Sequence, residues 1–254
     1  MIPIDLTGRI ALVTGASGQL GRVMAVVLAE CGADVAAHYF SNRESAEKVG
    51  KEIAKLGRRF CLVTGDVADA SAIKTMKESV TQELGAPDIL ITNAVSQYPW
   101  KTVLEQPAEH YVEQFRSCVL QNVLMAQAFA PAMIKKKWGR IIAINTECIM
   151  QAAPSQSAYV AGKKGTDGLL RVLAKEIGSH GVTVNQVAPG WTISERDRKA
   201  GTEKQKHYEQ NVPLRRRGED TEIAHAVAFL ASDLAAFITG VYLPVCGGNV
   251  MPAV

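Results

Sequence analysis

The sequence predicts an α/β protein built as a single doubly wound, parallel, seven-stranded sheet with helices on both faces. Three observations carry that expectation. Seven short apolar runs, rich in β-branched residues, alternate with longer amphipathic segments along the 254 residues. The runs are apolar along most of their length rather than at every second position, as in strands buried on both faces. A glycine-rich turn joins the first run to the first amphipathic segment.

Taken in order, the expected strands are Ile10–Thr14, Val35–Tyr39, Phe60–Thr64, Ile89–Thr92, Ile141–Asn145, Val182–Ala188 and Val241–Val245. Helices are expected at 19–31, 43–56, 69–84, 107–137, 157–179 and 221–231. Each strand–helix–strand unit should close as a right-handed crossover. In 107–137 the residues Val112, Phe115, Val119, Asn122, Ala126, Phe129 and Met133 recur at steps of three and four, which predicts one continuous core-facing stripe. These elements fill the chain, so residues 1–254 read as one domain. The irregular stretch is 190–218, which is polar and charged and follows a strand end. It reads as an insertion with one or two short helices. Either it sits where α/β proteins bind ligands, or it is a solvated surface excursion.

Composition narrows the function classes. Hydrophobic content of 47% and charged content of 21% exclude a disordered or fibrous chain. A net charge of +3 is too small to point to nucleic acid. No uninterrupted run approaches the ~18 apolar residues of a membrane span, and the opening MIPIDLTGR is short and polar for a signal peptide. Cys31, Cys61, Cys118, Cys148 and Cys246 are scattered and form no CxxC pair. That argues against a disulfide framework or structural zinc, and for a cytoplasmic protein. The five histidines are dispersed, and HExxH, DxDxDG and GxSxG are all missing, so no metal site is expected.

The turn Gly15-Ala16-Ser17-Gly18-Gln19-Leu20-Gly21 lies between the first strand and the first helix. Glycine there permits positive φ and close backbone approach to a pyrophosphate, and the helix start offers free N–H groups to it. The plainer alternative is a tight turn that only packs helix on strand. The second strand ends at Tyr39 with no Asp or Glu to hold a ribose 2′-hydroxyl. Ser41, Asn42 and Arg43 can instead meet a 2′-phosphate, or they only cap the next helix. The first option makes NADP(H) the expected cofactor in preference to NAD(H).

Tyr159 and Lys163 stand at i and i+4 on an expected helix and share one face. A phenol of ordinary pKa ~10 is no base at neutral pH, and a neighbouring ammonium favours its phenolate. In the reducing direction the phenol need only donate its proton. Thr146 ends the fifth strand, where its hydroxyl can hold a substrate oxygen or simply close a turn. Tyr98, Trp100 and Trp191 follow strand ends and read either as an aromatic wall or as loop packing. The basic triplets Lys135–Lys137 and Arg215–Arg217 read as solvated charges, or as a landing site for an acidic carrier or a phosphorylated substrate.

In combination these segments resemble the short-chain dehydrogenase/reductase family in its simple one-domain form, over about residues 7–249. The ordered matches are Thr14-Gly15 through Gly21, Asp66-Val67, Asn93-Ala94, Gly139-Arg140-Ile141-Ile142, and Tyr159 through Lys163. They continue with Val184-Asn185, Pro189-Gly190, Ile238-Thr239-Gly240 and Gly247-Gly248. Within the family the pattern is similar to members that reduce 3-oxoacyl groups on a carrier protein. The resemblance implies a Rossmann fold and a carbonyl/alcohol oxidoreductase. Tyr159 would then be the proton donor and acceptor, and Lys163 would bind the nicotinamide ribose and lower the tyrosine pKa. Thr146 stands where the family has Ser. Gly15, Ser17, Gly18, Gln19, Leu20 and Gly21 would cradle the pyrophosphate. Asp66 and Val67 would contact adenine, and Asn93 and Ala94 would line the groove. Pro189, Gly190 and Thr192 would flank the carboxamide. The substrate would be a small carbonyl compound: an acyl thioester, a cyclic ketone or a sugar. Relatives pair their two long helices, which implies a homodimer or homotetramer here, with the apolar tail 250–254 able to join the interface.

The departures are specific. The glycine spacing is GxxGxxG, with Gln at position 19 where the family has Gly. Val95 stands where the family prefers Gly and can crowd the groove. Cys118 holds the place of the family's Asn on the long helix, whose role includes a water relay from the lysine. The main-chain carbonyl survives at Cys118, and Asn122 either compensates or is a core-facing polar residue. These departures leave a reading from another class: a nucleotide-binding sensor or assembly subunit with weak catalysis.

Overall fold

The computed structural model describes residues 3–252. Its strands are β1 (Ile10–Val13), β2 (Asp34–Tyr39), β3 (Phe60–Thr64), β4 (Ile89–Thr92), β5 (Gly139–Ile144), β6 (Val182–Pro189) and β7 (Tyr242–Val245). The major helices between them are α1 (Gln19–Glu30), α2 (Arg43–Lys55), α3 (Ala70–Glu83), α4 (Ala108–Gln114) running on into α5 (Gln121–Lys136), α7 (Ser157–Ile177) and α10 (Asp220–Ala231). Short helices α6 (Cys148–Gln151), α8 (Glu195–Ala200) and α9 (Lys206–Glu209) lie beyond the ends of β5 and β6. All strand pairs are parallel, in the order β3-β2-β1-β4-β5-β6-β7. The winding direction reverses between β1 and β4. A crevice opens there at the carboxyl ends of the strands, where α/β sheets take ligands.

Alternation along the buried strands splits the core in two. Val13, Ile91 and Ile142 point to the face covered by α1, α2 and α10, where they meet Met24, Leu28, Val49, Ile53 and Val227. Leu12, Leu90 and Ile141 point to the other face, against Ile73, Met76, Phe129, Met133 and Leu170 from α3, α5 and α7. Caps fix the helix starts: the Asn42 side chain accepts from the Ser45 N–H, and Asp69 accepts from that of Ala72.

The long helix departs from its sequence pattern. A π-helical turn, Phe115–Leu120, joins α4 to α5. Such a turn adds a residue to the helical repeat, so the buried face rotates across it. Asn122, Ala126, Phe129 and Met133 are buried as the stripe predicts, but Val112 and Phe115 face outward, 61% and 57% exposed. Gln114, Ser117, Cys118 and Gln121 turn inward instead. The continuous stripe is therefore corrected before the π turn. The helix Ala108–Lys136 also reaches the length and apolarity of a membrane span, with half of its most apolar window buried within the protein. The five cysteines are free thiols.

Candidate active site

The glycine turn is built as its spacing requires. Gly15 has φ +66°, and a Cβ on it would lie 3.0 Å from Asn93 Nδ2 and 3.2 Å from Ala94 Cα. A Cβ on Gly21 would lie 2.1 Å from the Gly15 carbonyl oxygen, an impossible approach. Gly18 has ordinary extended backbone and opens α1 as its N-cap. The result is a cradle floored by backbone, directed at a helix N-terminus, that any side chain at Gly15 or Gly21 would fill. These residues fit a dinucleotide pyrophosphate.

Buried polar groups lock the cradle. Thr14 Oγ1 donates to Gln121 Oε1 at 2.8 Å and accepts from the backbone N–H of Asn93 (2.8 Å) and Ala94 (3.1 Å). Gln121 Nε2 donates to the Ala94 carbonyl at 2.8 Å. His38, at 1% exposure, accepts the Gly15 N–H at Nδ1 (3.0 Å) and donates from Nε2 to the Gly65 carbonyl (2.9 Å). The Gly15 N–H can only donate, so the neutral Nε2–H tautomer is required. Burial pushes the His38 pKa down, against weaker upward pulls from the Gly65 carbonyl and Asp66. The family resemblance gave no role to His38 or Gln121. The only sequence signal for either was a polar residue inside an apolar run.

A cleft of ≈ 670 Å³ runs from the cradle across the sheet. Gly15, Ser17, Gly18, Gln19 and Leu20 line its near end, Asn93, Ala94 and Val95 its floor, and Pro189, Gly190 and Thr192 its far end. Val95 thus sits in the wall and leaves the groove open. Asp66 and Val67 line an adjoining recess that shares His38, Phe40, Ala94 and Val95 with the cleft. Ser41 reaches the rim. Asn42 and Arg43 do not line it: Asn42 caps α2, and the exposed Arg43 pairs with Glu47 at 2.9 Å.

A second cavity of ≈ 500 Å³ adjoins the cleft, and the two share Gln97, Thr146, Tyr159, Gly190 and Trp191. Tyr98, Trp100 and Trp191 all line it, as the aromatic-wall reading expects. The Trp100 ring stacks over Tyr159 with centroids 6.1 Å apart. The Tyr98 hydroxyl accepts the Tyr159 backbone N–H at 2.6 Å. Thr146 Oγ1 accepts the Cys148 N–H at 3.2 Å.

The Tyr159/Lys163 pair is brought together with a changed electrostatic balance. Lys163 is buried; its Nζ lies 5.9 Å from the Tyr159 ring centroid and donates to the Ile144 carbonyl at 2.6 Å. Burial drives the Tyr159 pKa upward, the neighbouring Thr146 hydroxyl pulls it back only in part, and burial lowers that of Lys163. In this state burial is the largest influence on the phenol. The relay position also changes. The Cys118 carbonyl accepts from Asn122 Nδ2 (2.6 Å), and the Thr166 hydroxyl, which also reaches the Gly162 carbonyl (3.2 Å), lies 3.1 Å from it. Asn122 Oδ1 is itself held by the Thr92 hydroxyl at 2.6 Å. Asn122 is therefore a satisfied core residue, not a substitute for the missing Asn. The Cys118 thiol is buried and its pKa raised, the opposite of an activated nucleophile.

Segment 190–218 folds over the second cavity. Arg217, fully buried, donates to the carbonyls of Trp191 (3.2 Å), Thr192 (2.9 Å), Thr202 (3.1 Å) and Glu203 (3.2 Å) and to Asp197 Oδ2 (3.0 Å). Neither sequence reading of the Arg215–Arg217 triplet foresaw this pin. Tyr208 of α9 packs against Gly190, receives the Trp191 N–H at 2.9 Å, and donates to Glu147 Oε1 at 2.8 Å. Glu147, next to Thr146 and also unforeseen, is 3% exposed and lines the cavity.

A backbone cradle for a dinucleotide, opening onto a chamber through a shared tyrosine, defines the class: an NAD(P)-dependent oxidoreductase. A family model described as enoyl-(acyl carrier protein) reductase matches residues 15–249. The chain is 36% identical over 251 residues to 3-oxoacyl-(acyl-carrier-protein) reductase FabG of Staphylococcus aureus strain Mu50, covering 95% of this chain and 98% of the relative. It is 34% identical over 246 residues to L-rhamnose 1-dehydrogenase (NAD(P)(+)) of a Sphingomonas species, covering 96% of each. Among solved structures, the promiscuous reductase LugOII of lugdunomycin biosynthesis superposes with a TM-score of 0.90 at 30% identity, over 97% of this chain and all of that one. The chain belongs to the short-chain dehydrogenase/reductase family.

Proposed function

We propose that this protein is an NADP(H)-dependent oxidoreductase that interconverts a ketone and a secondary alcohol, with Tyr159 exchanging the proton. The observation that carries the proposal is the shared wall: Tyr159 and Thr146 are the hydroxyl side chains that face both the cleft and the cavity. When bound, the nicotinamide supplies or accepts the hydride at the carbonyl carbon. Thr146 Oγ1 accepts from a backbone N–H and its hydroxyl stands beside that of Tyr159, so both hydroxyls can turn to one substrate oxygen. Tyr159, kept protonated by burial, donates the second hydrogen bond and then the proton to the developing alkoxide. Lys163 has two further N–H donors, suited to ribose hydroxyls.

Gly15, Ser17, Gly18, Gln19 and Leu20 would hold the pyrophosphate, with Gly21 keeping the turn closed. Asp66 and Val67 would border adenine, Asn93 and Ala94 the ribose floor, and Pro189, Gly190 and Thr192 the carboxamide. NADP(H) is favoured over NAD(H) because β2 ends in Tyr39-Phe40-Ser41 without a carboxylate. Ser41 and Asn42 with Arg43, swung from Glu47, would meet the 2′-phosphate. Titration with NADPH and NADH checks this, and tighter NADH binding overturns it. Residues 190–218 act as the substrate loop of one catalytic domain. The named relatives act on a 3-oxoacyl thioester and on a sugar, so both stand as substrate classes, with cyclic ketones beside them.

The exposed Val112, Phe115 and Val172 on the two long helices support a homodimer or homotetramer, which light scattering tests. Residues 253 and 254 of the apolar tail lie outside the described residues. The scattered free thiols support a cytoplasmic setting. Tyr159→Phe is expected to lower kcat by about 10²–10⁴-fold while NADPH still binds. Undiminished turnover in that variant removes Tyr159 from the chemistry.

A further inference from the structure

The second cavity carries a chemistry of its own. Glu147 is its single charged wall residue; no Lys, Arg or His lines it. Both Glu147 oxygens already accept one hydrogen bond, Oε1 from Tyr208 (2.8 Å) and Oε2 from Asn249 Nδ2 (3.0 Å). Each carboxylate oxygen keeps a lone pair for a second donor. Gln156, three residues before Tyr159, lines the cavity, and its Oε1 is shielded from solvent with no hydrogen-bond partner among the described residues, so a turn of the amide is needed to bring it to a bound hydroxyl. A buried acceptor left unpaired costs stability unless a ligand or water satisfies it. The rest of the wall is aromatic faces and amides, with Trp100 stacked on Tyr159 and Trp191 edge-on to Tyr208.

We infer that the cavity selects neutral polyhydroxylated substrates, a sugar or polyol, over acyl thioesters and bare ketones, with Glu147 and Gln156 as the specificity-determining residues. The inference rests on the carbonyl/alcohol reaction proposed above and narrows its substrate. Two waiting acceptors want O–H donors near the reacting carbon. A sugar supplies several, whereas a 3-oxoacyl chain supplies none on the acyl part. The carboxylate repels anionic groups such as substrate phosphates and carboxylates. Flat aromatic walls accept the apolar C–H face of a ring. In the oxidising direction Tyr159 first loses its phenol proton to solvent; the phenolate then takes the hydroxyl proton of the alcohol as the carbinol C–H bond breaks and its electron pair leaves as hydride to the oxidised cofactor. The adjacent hydroxyls stay intact and are held by Glu147 and Gln156. Glu147 is positioned by groups distant in the chain, so the lid helix α9 forms part of the selectivity.

The test compares kcat/KM with NADP+ for pentitols, hexitols and aldohexoses against cyclohexanol and the N-acetylcysteamine thioester of 3-hydroxybutanoate. A polyhydroxylated compound is expected to lead by at least about 10-fold. Glu147→Gln and Gln156→Leu are each expected to lower the polyol-to-cyclohexanol ratio by about 10-fold, mainly through KM, the effect of one lost polar contact. Highest activity on the thioester, on cyclohexanol or on an amino alcohol overturns the inference. So does an equal loss on all substrates in both variants while NADPH binding is retained. A readout without turnover separates the two levels. Trp100 and Trp191 line the cavity, so saturable tryptophan quenching by xylitol or a hexose in the Tyr159→Phe–NADP+ complex reports binding directly. Quenching with no alcohol oxidised by the wild type refutes the reaction and supports the pocket chemistry. Turnover of a simple alcohol with no such quenching by any polyol or sugar supports the reaction and refutes the pocket chemistry.

Discussion

The cleft and the cavity beside it meet along a shared wall that includes Thr146 and Tyr159 but are made of different material. The cleft is backbone: a glycine cradle that side chains would fill, fixed from below by Thr14, His38 and Gln121. The cavity is side chains: aromatic rings, amides and one carboxylate, held under a lid pinned by Arg217. A backbone-built site tolerates few residue types, because sterics reject the rest. A side-chain-built site can be repainted residue by residue without moving the fold. The first should therefore be shared across relatives with different substrates, and the second should be where they diverge.

Four perturbations, in order of expected size, break or sharpen that contrast. Arg217→Met leaves four lid carbonyls without this donor and takes the cation from Asp197, which keeps Ser194 and Thr202. It should cost about 3 kcal/mol of lid stability, the upper end of the penalty for buried acceptors left unsatisfied. Protease cleavage within 195–210 and a raised substrate KM, with NADPH affinity intact, would show that the cavity fails separately from the cleft. Gly21→Ala places a methyl against the Gly15 oxygen, which cannot yield. About 3 kcal/mol of destabilisation and a loss of NADPH binding above about 100-fold are expected by calorimetry. Normal affinity in this variant would mean that the cradle does not hold the pyrophosphate.

The third perturbation is pH. The folded-state pKa of His38 lies below its ordinary value near 6.5. Below pH 6.5 the unfolded chain therefore takes up a proton that the folded chain refuses, and stability falls as pH drops toward the folded pKa. Protonation would also set an N–H against the Gly15 N–H, so dinucleotide affinity should weaken over the same range. His38→Asn, which does not titrate, should flatten both slopes; an unchanged slope would clear His38 of the role. The smallest effect is at the rim. Arg43→Ala should leave the melting temperature unchanged and weaken NADPH severalfold without touching NADH. An equal change for both cofactors would remove Arg43 from the 2′-phosphate.

Legibility in the sequence follows the same division. The strands lie within two residues of their expected ends, because burial on both faces writes a continuous apolar run. The glycine turn and the Tyr159/Lys163 pair were legible because each is local, a few residues with one geometric demand. Glu147 was not: its partners Tyr208 and Asn249 lie 61 and 102 positions away. Arg217 looked like a solvated triplet member, since the carbonyls it binds carry no residue-type signal. The stripe through Val112 and Phe115 misled because periodicity assumes an unbroken α-helix, and the π turn at Phe115–Leu120 rotates the face. The surroundings of Tyr159 were half legible, because spacing shows the neighbouring ammonium but not the burial.

By itself the sequence determined the strands and helices, their parallel doubly wound class and the place of the glycine turn. Those depend on apolar patterning and on glycine, both properties of short windows. Tertiary structure alone decided which polar side chains face the second cavity, which are spent within the core, and which acceptors stay unpaired. Hydrogen bonding and desolvation are fixed by groups that folding brings together from distant parts of the chain, so no window of sequence contains them.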